Sequence, residues 1–129
     1  MDDLQVYSSL GEYLNAMGSR GRMVVVNKGN QTIGWATFFL LETVDQAHLF
    51  HQRPLWSTFL DSSENEVILI DKLAVNGWNS EIRHLFQREI LSIFPHLKTA
   101  VWFRPSKTGP DHLVVRPIRE EAHATNVLG

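Results

Sequence analysis

The sequence predicts a single mixed α/β domain organised around a strand–turn–helix–strand unit that runs from Val67 to Arg104. Three observations carry that expectation. Glu66 to Val75 (EVILIDKLAV) is the most apolar stretch and is long enough for a central strand. Ile82, Leu85, Phe86, Ile90, Ile93 and Phe94 then repeat at helical spacing up to Pro95. Thr99 to Arg104 (TAVWFR) follows with the β-branched and aromatic content of a strand.

The remaining elements follow in chain order. Ser9 and Glu12 have capping-box spacing, and Leu10, Tyr13, Leu14 and Met17 mark one face of a short helix that Gly18 can end. Arg22 to Asn27 (RMVVVN) and Thr32 to Leu41 (TIGWATFFLL) flank Lys28-Gly29-Asn30-Gln31, which predicts a β-hairpin. Gly34 in its second strand is compatible with a bulge or a close backbone approach, a plain edge position being the simplest reading. From Glu42 to Leu60 apolar residues recur at mostly helical spacing until Pro54 interrupts them, so two short helices, or a helix and a turn, are expected. Ser62 to Asn65 is a polar break. Asn76-Gly77-Trp78-Asn79-Ser80 is turn chemistry ending in an N-cap. After a loop holding Gly109-Pro110, Leu113 to Val115 begins a last short strand. The expected domain covers residues 1–118, with 119–129 a polar C-terminal tail.

Composition excludes several functions. At 129 residues the chain suits one hydrophobic core. A formal charge of −2 and a pI near 6.3 supply no global field for phosphate backbones or anionic membranes, so nucleic acid is not an expected partner. The absence of cysteine removes disulfides, thiolate nucleophiles and Cys-ligated zinc. No apolar run approaches the roughly 18 residues of a membrane span. Met1-Asp2-Asp3 lacks the basic start of a secretory signal. A soluble cytoplasmic or otherwise intracellular protein is expected, free or carried in a larger assembly such as a viral particle. There is no nucleophile elbow, no Gly-Lys-Ser/Thr phosphate loop and no glycosidase-type carboxylate pair.

Asp71 is the sharpest single signal, because an ionised carboxylate in an apolar strand is costly to bury unless paired. It either points outward or pairs with Lys72, Arg104 or a turn amide, or it serves proton transfer from an amine. Lys72, next along the strand, is expected on the opposite face and in solvent. His48 and His51 are three apart and could share a helical face as metal ligands, although two histidines without a third ligand at convincing spacing are a weak signal. His84 falls outside the Ile82/Leu85/Phe86 stripe and reads as a surface residue or, being the histidine nearest the apolar strand in sequence, as a candidate base. His96 and His112 are most simply loop residues. Trp35, Trp56 and Trp102 read as core or as the lining of a channel, whereas Trp78, in a polar turn, could cap a cleft or anchor a partner. Arg104 and Lys107 are either solvated or contacts for an acidic protein or a phosphate.

The order helix, hairpin, short helices, apolar strand, polar turn, amphipathic helix, strand resembles the core of the GNAT acyltransferase superfamily. That resemblance implies an α+β fold with a central mixed, mostly antiparallel sheet flanked by helices. Ordinary members hold coenzyme A pyrophosphate on a glycine-rich loop at a helix N-terminus. Here that loop reads Val75-Asn76-Gly77-Trp78-Asn79-Ser80, and the single Gly77 does not supply the motif, so coenzyme A held in the usual way is not expected.

Met23 through Gly34-Trp35-Ala36, then Leu69-Ile70-Asp71-Lys72-Leu73-Ala74 and Gly77, then the helix and the strand to Arg104, are similar to the toxin-activating lysine acyltransferases. The resemblance covers roughly residues 22–107. It implies transfer of a fatty acyl group from acyl carrier protein to a protein lysine, with Asp71 as the catalytic carboxylate and His84 kept as a candidate partner. Val75, Asn76, Gly77, Trp78 and Arg104 would hold the donor, backbone amides near Val75 to Gly77 polarising the thioester carbonyl. The family pairs its aspartate with an N-terminal histidine, and no histidine precedes His48 here. Either another group serves as base, or the fold is kept as a catalytically inactive structural or interaction subunit of a larger assembly.

Overall fold

Five strands form one sheet in the order β1 (Met23–Lys28), β2 (Gln31–Leu41), β3 (Val67–Val75), β4 (Thr99–Arg104) and β5 (His112–Pro117). In this computed structural model residues 9–52 and 61–118 are described. β3 and β4 run parallel and every other neighbouring pair is antiparallel. Parallel neighbours need a long crossover, and α3 (Ser80–Ile93) supplies it. With α1 (Leu10–Ser19) and α2 (Ala47–Gln52) the result is the expected α+β arrangement, a mixed, mostly antiparallel sheet flanked by helices and consistent with a GNAT-like core.

Strand alternation divides the core into two faces. On one, Val24, Val26, Ala36, Phe38, Leu40 and Ile68 pack against Phe86 and Ile90 of α3, with Phe94 just beyond it. On the other, Phe39, Leu41, Leu69 and Val101 pack against Met17 of α1 and against Ala47 and Phe50 of α2. Phe38 to Leu41 are buried in unbroken sequence, as a strand covered on both faces must be.

Several local expectations are corrected. α1 passes through Gly18 and stops where Gly21 takes φ 71°, a left-handed conformation that a Cβ disfavours. Leu10 lies off the buried stripe and is exposed, while the Ser9 hydroxyl accepts from Glu12 N at 3.1 Å as a cap should. α3 is capped by Asn79 rather than Ser80, its side chain accepting from Ile82 N at 2.9 Å, and Ile93 is exposed at the far end. Gly34 is a close approach and not an edge position: β2 is interior, and a Cβ there would sit 2.4 Å from the Ala74 carbonyl oxygen.

After Glu42 a 3-10 turn, Val44–Gln46, runs into α2. Pro54, Leu55, Trp56, Phe59 and Leu60 lie outside the described residues, as does the expected tail 119–129. Among the described residues no helix is long and apolar enough to cross a membrane.

Candidate functional site

The candidate site lies where the regularity of the sheet ends. Val67 to Ile70 pair with Thr99 to Trp102, and there the β3–β4 pairing stops, although β3 continues to Val75 and β4 to Arg104. At the same residue the β2–β3 register slips: Phe38 pairs with Ile70 and Thr37 with Lys72, which leaves Asp71 as the extra residue of a β-bulge. A bulge bends its strand and increases local twist, so β3 parts from β4 at this point. Asp71 and Phe103 are the first residues past the last pair, one on each side of the opening. Lys72 is exposed, as expected, and Asp71 beside it is exposed too.

Asp71 is held from α1. The Tyr13 hydroxyl donates to Asp71 Oδ2 and lies 3.0 Å from Thr37 Oγ1, which accepts from Lys72 N at 3.2 Å. Thr37 is fully buried, Tyr13 half-buried and Asp71 exposed, so the chain of polar groups leads from the core to the surface. Asp71 Oδ1 accepts no hydrogen bond among the described residues. Met17, one turn after Tyr13, is buried against Phe39, and its burial fixes the rotation of α1 about its axis.

A second polar cluster fixes the end of that helix. The Asp61 side chain is wholly buried and accepts from Arg20 Nη2 at 2.9 Å, from Arg22 Nε at 2.8 and 2.9 Å and from Leu40 N at 2.7 Å. Arg22 also donates to Ser63 Oγ at 3.2 Å and stands over the Phe94 ring. The cluster ties the α1–β1 junction to β2.

On the other side of the opening, Phe103 packs into the α1/α2 face of the core, the face that Tyr13 also joins. The His51 ring stacks on Phe103 at 3.9 Å, His48 meets it edge-on at 5.6 Å, and His51 Nε2 is 3.4 Å from Asp111 Oδ2. The two histidines at helical spacing thus bracket an aromatic ring. Among the described residues no three His, Cys, Asp or Glu side chains gather as a metal site would require.

The structure does not bring Asp71 and His84 together. His84 is half-buried on α3, which covers one face of the sheet, whereas Asp71 meets Tyr13 from the helix on the other. Val75, Asn76, Gly77 and Trp78 do lie at the same end of the sheet as Arg104, because the parallel strands β3 and β4 end there together. Gly77 takes φ 89°, and Trp78 is 52% exposed with its ring tilted against Phe86 at 5.9 Å. At the N-terminus of α3, where an anion would dock, the Asn79 side chain already accepts from Ile82 N, and Glu81 follows in the first turn with its carboxylate 2.9 Å from Lys28 Nζ. A shallow groove lined by Gly11, Leu14, Asn15, Gly18, Ser19 and Met23 runs along the side of α1 turned away from Tyr13.

Sequence reasoning found Asp71 and missed its partners. Thr37 had a signal, since it is the one hydroxyl between Ala36 and Leu41 in an otherwise apolar run. Tyr13 read as one more apolar residue of a helical face. No family model matches the chain, and no curated protein matches it.

Proposed function

We propose that this chain is an acyltransferase-like protein that moves an acyl group from acyl carrier protein to a lysine amine on a protein. The observation that carries the reading is the placement of Asp71, on a bulge at the mouth of two diverging parallel strands, with one carboxylate oxygen held by Tyr13 and the other open. An alkylammonium entering the opening would give up a proton to Asp71, and the freed amine nitrogen would then attack the thioester carbonyl. The N–C bond forms, the C–S bond breaks, and the carrier's thiolate leaves to be protonated. In this reading backbone amides near Val75 to Gly77 would polarise the thioester carbonyl, and Arg104, at the same end of the sheet, would meet a phosphate or an acidic carrier surface. The Asn79 cap on α3 favours a carrier-bound donor over free coenzyme A, whose pyrophosphate would compete there with the Asn79 side chain and meet the negative charge of Glu81 in the first turn.

The test is incubation with acyl-loaded carrier protein and a lysine-bearing acceptor, read by mass spectrometry. Transfer is expected, with Asp71→Asn slowing it about 100-fold or more, the scale of a lost general base. No transfer from any acyl donor, or an unchanged rate in Asp71→Asn, overturns the reading. A second reading, a catalytically inactive subunit of a larger assembly such as a viral particle, is favoured by the exposure of Leu73 (47%) and Trp78, apolar surface that a partner protein would cover. Capture of a defined assembly partner without transfer would select it.

A further inference from the structure

We infer that Thr37 and Tyr13 form a directed hydrogen-bond relay that positions Asp71 as an acceptor, so that the group received at its open oxygen is an N–H donor of the alkylammonium class. The inference rests on the acyl-transfer reading for its use, and on geometry alone for its existence. The direction follows from counting protons. The Tyr13 hydroxyl carries one hydrogen, and it is donated to Asp71 Oδ2. Thr37 Oγ1, 3.0 Å from the same phenolic oxygen, must therefore donate its own hydrogen to Tyr13. What Thr37 accepts is Lys72 N–H at 3.2 Å, from the bulge itself. The sequence of donors is thus Lys72 amide, Thr37 hydroxyl, Tyr13 hydroxyl, with the Asp71 carboxylate as terminal acceptor.

Two consequences follow. The bulge that exposes Asp71 and the side chain that orients it are one structure, because the displaced Lys72 amide is satisfied by the first member of the relay. The relay also closes on Oδ2 and leaves Oδ1 as an acceptor with no donor among the described residues. Such an atom selects a cation that carries N–H bonds over one that does not. Tyr13 is in this scheme a positioning residue: it acts through Asp71.

The experiment titrates the full chain with n-butylammonium and, separately, with tetramethylammonium, following the backbone amides of Asp71 and Lys72 by NMR. Wild type is expected to show saturable shifts with n-butylammonium and none with tetramethylammonium, which has the charge without the N–H. Tyr13→Phe and Thr37→Val should each weaken n-butylammonium binding about three- to tenfold, the effect of losing one hydrogen bond. Thr37→Ser, which keeps the hydroxyl, should restore it. Hydrogen exchange at the Lys72 amide should accelerate in Thr37→Val and stay near wild type in Tyr13→Phe, a split that general destabilisation would not produce. Equal binding of the two cations, no binding in wild type, or wild-type binding in Tyr13→Phe overturns the inference. Normal binding behaviour without acyl transfer would leave the relay standing and remove only the proposed activity.

Discussion

Asp61 and Asp71 are both aspartates beside interior strands, and the structure treats them in opposite ways. The Asp61 side chain has no exposed surface and gathers two guanidinium groups and a backbone amide. Asp71 is exposed, has one neutral donor on one oxygen and leaves the other open. A carboxylate removed from water needs its lone pairs filled, so Asp61 is satisfied within the fold and has nothing left to offer a ligand. Asp71 keeps water access and unused acceptor capacity, which is what a site requires. Burial with full pairing suits a structural carboxylate, and exposure with partial, directed pairing suits the role proposed for Asp71.

The largest expected effect tests the sealed member. Asp61→Ala leaves Arg22, itself 7% exposed, as a buried charge without its partner, and breaking such a pair costs about 3–5 kcal/mol. Urea denaturation should show this loss. The double variant with Arg22→Ala should fall short of the sum of the single effects by about 1 kcal/mol or more, because both changes remove the same contacts. An additive result would mean that Asp61 and Arg22 stabilise the fold independently and that the cluster is not one unit.

Next in size is Gly34→Ala. Its new Cβ would meet the Ala74 carbonyl oxygen at 2.4 Å, a contact with backbone that no rotamer can relieve, so β2 and β3 must separate locally. A loss of about 1–3 kcal/mol is expected, the range for forced overpacking. Gly34 and Ala74 belong to the paired segment of β2 and β3 that leads into the bulge at Asp71, so the change should also weaken transfer by shifting Asp71. A variant that loses stability but keeps full transfer would separate the strand contact from the site.

The same contrast explains what could be read in the chain. The sheet, α3 and the central position of β3 were legible because apolar content and helical spacing are local properties of the sequence. Asp71 was legible as a charge inside an apolar run. Its surroundings were not, because Tyr13 and Thr37 are 58 and 34 positions away and only the antiparallel pairing of β2 with β3 and the packing of α1 bring them together. Asp61 escaped notice for a related reason: it precedes a polar break, looks like one more loop residue, and meets Arg22 across 39 positions. The bulge is a register property of two strands and has no signature in either one alone.

Thr37→Val comes third, with a loss of about 1 kcal/mol from the hydrogen bonds to Lys72 N and Tyr13. The smallest change in stability, and the one that divides the two aspartates most cleanly, is Asp71→Asn. The amide oxygen of asparagine can still accept from Tyr13, the side chain stays exposed, and no buried charge is orphaned, so denaturation should move by no more than about 0.5 kcal/mol. The amide is nevertheless a poor proton acceptor, and its NH2 group would face the opening as a donor, where an entering ammonium needs an acceptor. Transfer and n-butylammonium binding should therefore both fall while the fold is unaffected. A loss of stability near that of Asp61→Ala would instead place Asp71 with the structural carboxylates.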